Sequence, residues 1–64
     1  MTITEAVASA KARSENGDIV AVVKALPGEV YKGFYPEVLT DALPRELVSQ
    51  YFQYGVRVPV FETR

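Results

Sequence analysis

Residues 18–26, DIVAVVKAL, constrain the fold of this chain more than any other stretch. Their density of β-branched side chains marks a strand. Ile19, Ala21 and Val23 point to one side of it, Val20 and Val22 to the other. A strand with one wet face alternates apolar and polar residues. This one does not alternate until Lys24. It is therefore predicted to be a central strand covered on both sides.

The segment before it reads as a helix over residues 3–15. Thr2 and Glu5 have the spacing of a capping box, in which hydroxyl and carboxylate each satisfy an open backbone N–H. Ile3, Ala6, Val7 and Ala10 recur at the interval of one buried helical face. That stripe is narrow and its residues are small, so the helix should lie close against a sheet. Asn16-Gly17 supplies a left-handed stop.

After the first strand, Leu26-Pro27-Gly28-Glu29 fits a type II turn. EVYKGFY, residues 29–35, then reads as a second strand, ended by Pro36, with Gly33 marking a bulge or a close backbone approach. Residues 36–43 form a connector. Pro44 suits the first turn of a helix, here predicted over residues 43–54 with Gly55 as its stop. VRVPVF, residues 56–61, is a third strand, which Pro59 assigns to an edge. A connection of about 20 residues containing a helix is long enough for a right-handed crossover between parallel strands. The expectation is one domain, 1–64, of the α+β class: a two-layer α-β-β-α-β fold with a three-stranded mixed sheet in the order 2-1-3.

Size and composition narrow the chemistry. A chain of 64 residues buries only about 60% of the surface its unfolded form exposes, so its stability is marginal. With no cysteine and no histidine, neither a disulfide nor a structural zinc site is expected to staple it. Almost half the residues are hydrophobic, which argues against disorder. No apolar run approaches a membrane span, and the N-terminal segment with Glu5 does not read as a signal peptide. A cytoplasmic location is expected. Seven basic and eight acidic side chains are interspersed along the chain. Nucleic-acid binding of the nonspecific kind runs on clustered cations, and no such cluster is present.

The aromatic segment QYFQYG, residues 50–55, raises the question of a binding surface. On a helical wheel, Leu43, Leu47, Tyr51 and Tyr54 share one core-facing arc, while Val48 and Phe52 lie further round. Phe52 with Val48 is thus either part of a wide core stripe or an exposed patch. If both helices pack on one side of the sheet, the other side is bare. Val20 and Val22 would lie there, with alternate residues of strand two and with Phe61. The predicted partner-binding residues are Tyr31, Tyr35, Val48, Phe52 and Phe61. An alternative set, Tyr31, Lys32 and Phe34, resembles the aromatic-plus-basic mixture that stacks single-stranded bases. Exposed strand lysines also guard against aggregation.

Catalytic motifs are absent from the pattern. Glu37 and Asp41, with Glu46 as a third carboxylate, are explained by capping and a solvated connector. Ser9, Ser14 and Ser49 have no histidine to activate them, and no motif joins them to Lys11 or Lys24. PGEVYKG lacks the spacing of a phosphate-cradling loop. No catalytic residue, metal or cofactor is expected. The reading is a non-enzymatic protein–protein interaction module, a regulator or inhibitor that occupies a surface on a larger macromolecule. Compact, cysteine-free chains of this length are common among phage and mobile-element accessory proteins, an association by type alone. The alternatives are a homodimeric structural module that binds a second copy of itself, or a binder of single-stranded nucleic acid.

Overall fold

A computed structural model describes residues 1–26 and 33–59. One helix, α1 (Ile3–Arg13), precedes four strands: β1 (Val20–Lys24), β2 (Phe34–Val38), β3 (Val48–Gln53) and β4 (Val56–Val58). The strands form one sheet in the order β2-β1-β3-β4, and every neighbouring pair is antiparallel. The Cα radius of gyration is 11.0 Å, the roughly 11 Å of a compact chain this long. No helix among the described residues is long and apolar enough to cross a membrane.

Helix α1 forms for local reasons. The Thr2 hydroxyl accepts from the Glu5 N–H at 3.2 Å, and the Glu5 carboxylate accepts from the Thr2 N–H at 2.9 Å. Such a cap is worth about 0.5–2 kcal/mol. Ala6 and Ala10 are fully buried, and their small side chains let the helix axis approach the sheet. A single 3₁₀ turn, Ser14–Asn16, tightens the end, and Gly17 at φ 105° reverses the chain. Few side chains other than glycine enter that left-handed region without strain.

Strand β1 has a neighbour on each side. Val20, Val22 and Phe52 pack with Ala6 and Ala10 on the helix face of the sheet. Ala21 and Val23 pack with Leu43 and Tyr51 on the opposite face. Each fully buried large apolar side chain contributes about 1.5–3 kcal/mol. What closes the opposite face is the connector between β2 and β3, whose Leu39, Leu43 and Leu47 all join that second cluster.

Several expectations are corrected here. Among the described residues there are not two helices and a three-stranded 2-1-3 sheet, but one helix of more than one turn and four antiparallel strands. The helix predicted over 43–54 is replaced by a 3₁₀ turn at Arg45–Leu47 followed by β3. Leu43, Leu47 and Tyr51 do share a core cluster, as the wheel implied. A connector leading into a strand brings them together, and Val48, Tyr51 and Phe52 are residue types that favour a pleated surface. Ser49 is left over between the Val22↔Gln50 and Val23↔Val48 pairs, a bulge that shifts the alternation of β3 and disguises its period of two.

The second strand was placed at 29–35, stopping at Pro36. Residues 29–32 lie outside the described residues; the described strand is Phe34–Val38 and runs through Pro36. The proline is tolerated because β2 is an edge strand. The Leu39 N–H donates to Ile19 C=O at 2.9 Å and the Ala25 N–H to Gly33 C=O at 2.8 Å. Alternation of the antiparallel ladder between those two pairs turns the backbone of residues 34, 36 and 38 away from β1. No N–H is needed at residue 36. The parallel crossover is likewise absent: β2 and β3 are separated by β1, and their connection crosses the sheet face. The predicted type II turn at 26–29, and residues 60–61 of the predicted third strand, extend outside the described residues.

Candidate functional site

The three rings of residues 51–54 go three different ways. Tyr51 points to the connector face and is 3% exposed; Phe52 points to the helix face and is 2% exposed. Tyr54 is 69% exposed. Of these three rings the one outside the core is Tyr54, not the Phe52 expected from the helical wheel. Phe52 is sealed beneath α1, with the Lys11 ammonium 5.8 Å above its ring centre.

Tyr54 occupies the tip of a two-residue hairpin. Gln53 pairs with Val56, and the two residues between them have positive φ, 54° at Tyr54 and 75° at Gly55. That is the type I′ turn, whose twist matches the flanking strands and whose usual residues are Asn, Asp and Gly. A tyrosine at the first position is held in the left-handed region at a cost of about 1–2 kcal/mol. Neighbouring groups determine the position of the turn. Ser14 is fully buried. Its C=O accepts from the Tyr54 N–H at 2.7 Å, and its hydroxyl accepts from the Gly55 N–H at 3.0 Å while donating to Lys11 C=O at 2.9 Å. The Gln53 amide donates to Gly17 C=O at 2.9 Å. The Tyr54 ring lies over Gly17, where an added Cβ would stand 3.1 Å from Cε1. Helix end and hairpin tip are thus one tied unit.

Around the ring the surface is mixed. Val56 is 58% exposed. Glu15 and Asp18 are exposed; the first lies beside Gly55, and the second accepts from the Asn16 amide at 3.2 Å.

The predicted partner-binding residues do not form one surface. Tyr35 and Val48 both lie opposite Val23, from either side, and are half-buried against the connector-face cluster. Phe52 is on the other face. Phe34 is also on the helix face, half-buried. Tyr31, Lys32 and Phe61 lie outside the described residues. The bare sheet face expected to carry Val20 and Val22 is not bare, since both are fully buried under α1. The signal that was missed is the pair Tyr54-Gly55 between two runs of strand-forming residues. Gly55 closes a hairpin turn and not a helix.

Of the groups considered for catalysis, Ser14 and Ser49 are bonded to the backbone and the three carboxylates stand in solvent. Glu37, Asp41 and Glu46 are all exposed. Among the described residues, no group of three His, Cys, Asp or Glu side chains is placed to hold a metal ion. The Ser14 hydroxyl is occupied by backbone partners, and Ser49 donates to Val22 C=O at a long 3.5 Å.

No protein-family model, curated protein or solved structure matches the chain. Its function has to be argued from its own residues.

Proposed function

We propose that this small α+β domain is a non-enzymatic protein–protein interaction module, a regulator or inhibitor, and that it touches its partner through Tyr54 and Val56. One observation carries the reading. A tyrosine with most of its surface in water is fixed in a backbone conformation that asparagine or glycine would adopt more easily. Strained residues of this kind persist where the surroundings over-determine them, and such places cluster at functional sites. Tyrosine is also the residue type that dominates binding hot spots, because it offers apolar area and a hydroxyl together. The hydrogen bonds from Ser14 and Gly17 hold the turn before any encounter, which reduces the ordering cost of association. Glu15, exposed beside Gly55, makes a partner group such as Lys or Arg the complementary one at this turn. The chain's lack of histidine and cysteine, and the backbone ties on Ser14, favour binding over catalysis.

Tyr54→Asn is the decisive variant, since asparagine suits the turn and removes the ring. A partner isolated from the native host with the wild-type chain is purified, and its affinity for both chains is measured. We expect Tyr54→Asn to weaken binding about tenfold to several-hundredfold, the range of one hot-spot side chain at 1.4 kcal/mol per decade. Equal affinity, with Val56→Ser also binding as the wild type does, would remove this surface from consideration.

A further inference from the structure

We infer that both edges of the sheet are closed to strand addition, so that neither a second copy nor a partner extends it. This inference is independent of the role given to Tyr54. On the β2 edge, the outward backbone positions are 34, 36 and 38. The Phe34 N–H donates to the Met1 C=O at 2.9 Å, so the segment before α1 already covers that position. Pro36 has no N–H. Gly33 lets Met1 come so close: its φ is 80°, and a Cβ there would collide with the Met1 carbonyl oxygen. Two of three outward positions are therefore withdrawn.

On the β4 edge a proline alone limits the row of donors among the described residues. The hairpin pairs Gln53 with Val56 and Tyr51 with Val58 through hydrogen bonds, which turns the backbone of Arg57 outward. The next outward position is Pro59. An incoming strand needs a donor at every second residue, and a proline interrupts that row on each edge. Pro36 lies inside β2, and Pro59 directly follows β4. Each occupies a position where the missing N–H is harmless to the fold and obstructive to a neighbour. Contacts with another macromolecule then fall to side chains at the hairpin end of the sheet and on the outer surfaces of α1 and the connector.

The test restores the donor. Wild type, Pro36→Val and Pro59→Val are compared by sedimentation over a concentration series, with circular dichroism as the check on folding. The wild type is expected to show no strand-mediated association, and at least one variant to associate as concentration rises. Amide hydrogen exchange of the wild type is read alongside, at Val38 and Arg57. Their exchange should be fast and independent of concentration, and this readout holds even where a variant fails to fold. Concentration-dependent protection of either amide in the wild type would overturn the inference. So would folded variants that both stay monomeric at the highest concentration.

Discussion

The two faces of the sheet are closed by different means. On one, α1 lies along β1 and β2 with fully buried alanines at its contact, and Val20, Val22 and Phe52 fill the space beneath. On the other, an irregular connector places Leu39, Leu43 and Leu47 over Ala21, Val23 and Tyr51. The helix brings its own backbone hydrogen bonds and a capping box, so its stability has a local component. The connector has a single 3₁₀ turn at Arg45–Leu47 and scattered backbone bonds, among them Leu39 N–H to Ile19 C=O at 2.9 Å, Leu43 N–H to Thr40 C=O at 3.2 Å and Leu47 N–H to Pro44 C=O at 2.9 Å. It is held chiefly by its leucines. A chain of this size can therefore cover the second side of a sheet without a second helix, provided the loop carries apolar residues at the right intervals.

The largest expected effect is on the helix face. Phe52→Ala removes the largest fully buried side chain and should destabilise by about 3–5 kcal/mol, enough to unfold a marginal domain. Urea denaturation followed by circular dichroism reads this directly. A cooperative transition that moved by less than about 1 kcal/mol would mean that Phe52 is not where the helix face is anchored. The connector face should be more forgiving. Leu43 is 6% exposed and sits on a loop that can settle into a cavity, so Leu43→Ala should cost about 2 kcal/mol, the lower end of the range for such truncations. If Leu43→Ala proved the more damaging of the two, the contrast between the faces would be reversed.

A smaller loss is expected where α1 meets the hairpin. Ser14→Ala leaves the Gly55 N–H without its acceptor and should cost about 1–2 kcal/mol. Amide exchange at Tyr54 and Gly55 should accelerate before that of β1, sharpening the view that helix end and turn act as one unit. The smallest effect on stability belongs to Tyr54→Asn. Loss of the ring over Gly17 and relief of backbone strain oppose each other, leaving a net change within about 0.5 kcal/mol. A large loss would show that the ring works as a brace.

Much of α1 could be read from neighbouring residues. Thr2, Glu5, Ala6, Ala10 and Gly17 do in the structure what their spacing indicates. The uninterrupted apolar run of β1 likewise corresponds to a strand buried on both sides. Residues 43–54 were misread because Leu43, Leu47 and Tyr51 recur at an interval of four, which a helix wheel accepts. They meet through a loop and a bulged strand instead. Of the candidate surface, Tyr35 and Val48 were placed on the sheet's connector face, Phe52 was lost to the core, and Tyr54 was assigned inward. The helical reading of Gly55 accounts for Val48, Phe52 and Tyr54, because a type I′ turn and a helix stop both use a glycine at positive φ.

What the sequence determined by itself is therefore what depends on residues within about one turn of each other: the helix with its caps, the left-handed reversal at Gly17, and a strand too apolar for an exposed face. Tertiary structure alone decided that residues 48–53 are extended, that Pro36 lies within a strand, and which aromatic ring faces water. Those outcomes depend on pairing with β1 and on burial against distant side chains. The free energy of such contacts is realised only when the whole sheet has formed.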